Sequence, residues 1–103
     1  MNRPRRVIQV YPELGNRWPL WEINGPLIDP SPTDLGLSSE LEGRLKGWYD
    51  FWELHHDWQH GWDSVENEQA SWADGSELVA MLRIEVAAFA DVSDERYRVP
   101  RAW

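Results

Sequence analysis

The densest cluster of chemically capable side chains in the sequence is Glu53, His55, His56, Asp57 and His60. If a helix runs through His60, then His56 and His60 lie one turn apart on one face, with Glu53 a turn before His56. Two imidazoles and a carboxylate at that spacing form a ligand set for zinc or another divalent ion. Asp57 would add an oxygen or orient an imidazole from behind. The spacing matches the H-E-x-x-H metalloprotease pattern in its histidines only, because Asp57 stands where that pattern needs its glutamate base. The competing reading is a solvated helix end, where imidazolium interacts favourably with the helix C-terminus.

No other catalytic chemistry has support. The chain has no cysteine, which excludes disulfides, thiolate zinc sites and cysteine nucleophiles. It contains no G-x-S-x-G elbow, no G-x-G-x-x-G and no P-loop, so neither a serine nucleophile nor a nucleotide site is indicated. Eighteen acidic residues make chance carboxylate pairs unavoidable, and none sits in a motif with a defined partner. No catalytic residue is assigned, and a divalent metal on Glu53, His56 and His60 is the one cofactor considered.

Charge and tryptophan are the more unusual features. The net charge is -8, distributed as +3 over residues 1–17, -14 over residues 18–95 and +3 over residues 96–103. An acidic middle repels phosphate backbones and attracts a basic protein, so the partner expected is a basic protein and not nucleic acid. Of the eight tryptophans in 103 residues, most are expected in the core, where large rings stabilise a small domain, and some are expected to be exposed. Trp48 and Trp52 fall on a helical apolar stripe and are assigned to the core. Trp58 and Trp62 stand among His and Asp between two helices, where exposed indoles make binding hot spots. The candidate partner-binding residues are therefore Trp58, Trp62, Asp57, Asp63, Glu66 and Glu68 around the interhelix loop, with Trp103 as a terminal anchor.

A chain of 103 residues supports one hydrophobic core, so a single domain over 1–103 is predicted, with flexible basic ends at 1–5 and 100–103. Its longest apolar runs are far too short to cross a bilayer, and the basic N-terminus lacks the apolar stretch of a signal peptide, so a cytoplasmic protein is expected. Arg6–Tyr11 reads as a strand closed by Pro12, and Trp18–Ile23 as a second strand that Pro19 confines to an edge. The Pro-rich segment from Pro26 to Gly36 reads as an extended loop. A first helix starts at Ser38 or Ser39, with Leu41, Leu45, Trp48 and Trp52 on one stripe and Phe51, Leu54 and Trp58 widening it, and stops near His60 before Gly61. Gly43 and Gly47 within it point to a close neighbour. A second helix starts at Asp63 or Ser64, carries Trp72, Val79, Leu82, Val86 and Phe89 inward, and has a potential break at Gly75. Tyr97–Val99 reads as a final strand. The fold class is α+β: two antiparallel helices packed on a sheet of two or three short strands.

Tyr11, the Pro19-Leu20-Trp21 segment, Leu37-Ser38 followed by Glu40-Leu41, and then Leu45 and Trp48 resemble a pattern in small acidic bacterial proteins of unknown function. The late helix with Leu78, Leu82 and Glu85 extends the likeness. The resemblance implies this α+β order and no activity.

Three function classes remain. The first is a protein-binding module, such as a stoichiometric inhibitor of a basic partner: an immunity protein or antitoxin facing a nuclease-like toxin, or a DNA mimic. The second is a small metal-binding protein or enzyme. The third is a structural homo-oligomer, since monomer and oligomer are left open by the sequence.

Overall fold

A computed structural model describes residues 5–96. The order is β1 (Arg6–Val10), β2 (Leu20–Ile23), α1 (Ser39–His55), β3 (His56–Asp57), β4 (Gly61–Trp62), α2 (Val65–Val86) and β5 (Ala90–Asp94). The predicted α+β class is what forms: a three-stranded mixed sheet in the order β2-β1-β5, two helices, and a separate two-stranded β3-β4 hairpin. β1 is central, antiparallel to β2 and parallel to β5. Proline at position 19 sits beside an edge strand, as its missing N–H requires. The strand expected at Tyr97–Val99, like Trp103, lies outside the described residues. Among the described residues, the strand on the other edge of the sheet is β5, immediately after α2.

Ridge contacts between the helices show that they run antiparallel. Ser38 meets Glu85, Arg44 meets Glu77, Trp48 donates its indole N–H to Ser71 O (2.8 Å), and His55 meets Asn67. Leu41, Leu45 and Trp48 of α1 and Leu78, Val79, Leu82 and Val86 of α2 pack onto Ile8, Val10, Leu20 and Ala90 of the sheet. Pro30, Pro32 and Leu35 are buried as well, so the Pro-rich segment contributes to the core as well as connecting β2 to α1.

Both helices begin on serine caps. Ser38 Oγ accepts from Leu41 N and Ser64 Oγ from Asn67 N, each at 3.1 Å, leaving fewer unpaired donors in the first turns. At Ser38 the carboxylate that completes the cap comes from the other helix: Glu85 accepts from both the Ser38 backbone N–H and its hydroxyl. α2 runs unbroken through Gly75. There the side-chain-free position admits Arg96 and Trp48, and a Cβ would lie 2.5 Å from Arg96 Nη1 and 3.2 Å from the Trp48 ring. Gly43 and Gly47 have nothing near them, so the neighbour expected at those positions is at Gly75 instead. Gly43→Ala and Gly47→Ala are each expected to raise stability by about 1 kcal/mol through helix propensity alone. Gly75→Ala will forfeit that gain and lower stability. Urea unfolding followed by tryptophan fluorescence checks the contrast.

Arg96, with 5% of its side chain exposed, locks the end of β5 to α2. It donates to Asp94 Oδ1 and Oδ2, to Trp72 O (2.6 Å) and to Ser76 Oγ, and its guanidinium lies 4.1 Å from the centre of the Trp72 ring. Trp72, assigned to the buried stripe from its spacing, is 47% exposed and packs under this arginine. Burial alone would raise the Asp94 carboxyl; the hydrogen bonds and charge of Arg96 outweigh it and hold the group below its ordinary value. A carboxyl depressed in the folded state adds stability above its unfolded value of about 4, and that stability is lost as the pH falls through the folded value. Asp94→Asn should therefore reduce stability at neutral pH and flatten the acid limb of the stability–pH profile, measured by urea midpoints across the acid range.

Candidate functional site

The polar cluster singled out in the sequence straddles the end of a helix and a hairpin: Glu53 and His55 are in the last turn of α1, and His56, Asp57 and His60 are on the hairpin. α1 ends at His55, and the chain turns at once into β3. In a continued helix the Gln59 N–H would bond the His55 carbonyl. Asp57 Oδ1 takes that N–H instead (2.7 Å), and the His55 carbonyl accepts from Asp63 N across the hairpin (2.8 Å). An aspartate side chain thus out-competes the helix for its own backbone, as Asx turns do. Gly61 has the positive φ expected of it (78°), but it closes the Trp58–His60 turn of the hairpin and does not end α1.

This change of geometry removes the premise of the metal set. His56 and His60 are not one helical turn apart: His56 is paired across the hairpin with Trp62, and His60 lies in the turn. Among the described residues, no group of three or more His, Asp or Glu is placed to hold a metal ion. The histidines have other contacts. His56 stacks on Trp52 at 5.3 Å between ring centres and meets Trp62 edge-on at 5.4 Å. His55 Nδ1 lies 2.7 Å from Asp63 Oδ2, and Asn67 donates to Asp63 Oδ1 (2.9 Å). His60 Nδ1 faces Asp57 Oδ2 at 3.3 Å.

The acids of the hairpin are held as anions. Asp57 is lowered from its ordinary value by the Gln59 N–H first and by His60 second. Asp63 is lowered by the Asn67 amide first and by His55 second. Both stay charged through mild acid. Glu53 and Glu66 are exposed, as are Asp57 and Asp63, while Glu68 is half-buried.

Tryptophan assignments divide as their neighbours dictate. Trp48 and Trp52 are buried in α1. Trp62 is half-buried against Phe51 and His56. Trp58, at the tip of the hairpin, is 70% exposed. Two leucines join it. Leu54, expected to widen the buried stripe, is 76% exposed, and Leu14 is 57% exposed. Leu14 was not anticipated, since it lies in a loop with no periodicity. The loop is fastened to α1 by Tyr49, whose hydroxyl donates to Glu13 O (3.0 Å). Leu14 and Trp58 together line two adjoining hollows. One includes Tyr11, Pro12, Trp52 and His56; the other includes Glu53, Leu54, Asp57, His60 and Asp63. The result is an apolar patch at one end of the helix pair with a carboxylate rim, the anatomy of a protein-recognition surface.

The family model described as Serratia CdiI immunity protein-like matches residues 6–93, a span that takes in both helices, the hairpin and all of the sheet but the last residue of β5. The chain belongs to this family. No curated protein sequence matches it. Membership of an immunity-protein family implies a protein toxin as partner, which agrees with the protein-binding class of the sequence reading. No helix among the described residues is long and apolar enough to cross a membrane.

Proposed function

We propose that this protein neutralises a basic protein toxin by binding it stoichiometrically through the acidic hairpin end of its helix pair. One observation carries the proposal. Trp58 and Leu54 are exposed within residues 47–82, a stretch with eight acids and no lysine or arginine, and the exposed Leu14 of the β1–β2 loop lines a hollow with them. Carboxylates of one sign steer an oppositely charged partner and raise its encounter rate. A large exposed indole ringed by polar groups then supplies the contact area that fixes the complex. Trp58, Trp62, Asp57, Asp63 and Glu66 are the contact residues of this reading, and Glu68 lies beside them.

The test is affinity capture from the native cell's lysate on the immobilised full chain, washed at low and at moderate salt, with mass spectrometry of what is retained. A basic protein bound at equal stoichiometry, and released progressively by salt, supports the reading. An acidic partner, or one whose retention ignores salt, contradicts it.

A further inference from the structure

Resting on that reading, we infer that the groove beside Trp58 receives an extended segment of the toxin in which an apolar side chain is followed by an arginine or lysine. The groove has a volume of about 450 Å³ and is walled by Tyr11, Pro12, Leu14, Trp52, His56 and Trp58, within the size range of ligand-binding hollows. Its walls come from three separate places: the β1–β2 loop, the last turns of α1 and the hairpin tip. The loop wall is fixed by the Tyr49–Glu13 hydrogen bond and the hairpin wall by Asp57 on Gln59. The hollow is thus formed before anything binds, and a partner need not order it.

Two observations identify the occupant. The first is apolarity with exposure: Leu14 and Trp58 line the groove as large, solvated hydrophobic side chains, so covering them is favourable. The second is charge. Leu14, His56 and Trp58 also line the neighbouring hollow, whose carboxylates are Glu53, Asp57 and Asp63. A cation on the residue next to the apolar anchor reaches that rim, and the Trp58 ring offers a guanidinium a second attraction through its π face. Glu53 and Glu66 form no hydrogen bond or ion pair within the described fold, so they are available to a partner's cation.

The test uses three acetylated hexapeptide amides that differ only in their central pair: Leu-Arg, Leu-Glu or Ser-Arg. Each is titrated into the ¹⁵N-labelled full chain while the indole N–H signals are followed. The Leu-Arg peptide is expected to shift the Trp52 and Trp58 signals and to bind about tenfold more tightly than either of the others. Its affinity should fall with added salt and be lost in Trp58→Ala and in Leu14→Ser, two exposed substitutions that leave the core intact. Equal affinity for the three peptides, no shift with any of them, or shifts confined to Trp18 and Trp21 would overturn the inference. If the peptides fail while a captured toxin still associates more slowly with a charge-reversed hairpin, this inference falls and the inhibitor reading stands. If charge reversal also leaves association unchanged, both fall.

Discussion

Replacing Glu53 and Glu66 together by lysine is expected to slow association with a basic toxin about tenfold at low ionic strength, with a much smaller change in dissociation rate. The two positions are chosen because they contribute charge without holding the fold. Asp57 and Asp63 would be poorer choices, since Asp57 forms the hairpin turn and Asp63 bridges His55 and Asn67 at its base. The double change alters the local charge by four units in a stretch that has no lysine or arginine between Lys46 and Arg83. Such a change should show most where screening is weakest. Stopped-flow or surface-binding kinetics across a salt series would reveal a steep slope for the native protein and a flattened one for the variant. Asp29→Lys, in the loop between β2 and α1, supplies a control of the same charge sign away from the hairpin and should have a smaller effect. An association rate unchanged by the hairpin substitutions would remove electrostatic steering from the account.

The second large effect concerns stability. On the helix-facing side of the sheet, at its end, Arg6 makes a two-pronged ion pair with Glu22, whose side chain has no solvent exposure. Arg6 is partly exposed and also lies over the Phe89 ring at 4.8 Å. Removing the arginine leaves a carboxylate enclosed without its cation, so Arg6→Met is expected to cost about 3 kcal/mol. For a domain of this size that corresponds to a fall in Tm on the order of 15 °C. The pair itself need not be a net source of stability, because desolvating both groups is costly. Accordingly, Arg6→Met combined with Glu22→Leu should recover most of the loss, and a double-mutant cycle on urea unfolding would measure the coupling. Gly25→Ala probes the same site from another side, since a methyl group there would overlap the Glu22 carboxylate. It should destabilise the native protein and be much better tolerated in the Glu22→Leu background.

Both predictions concern places the sequence treated differently. The acidic, tryptophan-bearing segment between the helices was legible from composition: charge sums, and the presence of Trp58 and Trp62 among aspartates, survive any error in secondary structure. Glu22 was not legible as a buried ion-pair partner. It occupies an alternating strand position, and only the pairing Ile8↔Glu22 places it on the helix-facing side with Ile8.

Local chemistry determined much of the fold. The β-branched run Arg6–Val10 makes a strand, serines at 38 and 64 cap helices, and leucines at helical spacing turn inward, because each depends on neighbours within a turn or two. The helices' existence and antiparallel packing follow from their stripes and the short connection between them. Three features depended on partners distant in sequence. α1 stops at His55 because Asp57 and Asp63 take the hydrogen bonds a longer helix would use. β5 forms from Ala90–Asp94, a segment with a single β-branched residue, because β1 offers it a parallel ladder and α2 delivers it there. Leu14 becomes part of a recognition surface because Tyr49 draws its loop onto α1. The sequence by itself determined the charge, the helical stripes and the α+β order. Tertiary structure alone decided which tryptophan faces water and which residues share its groove, since burial is set by long-range packing that no local spacing records.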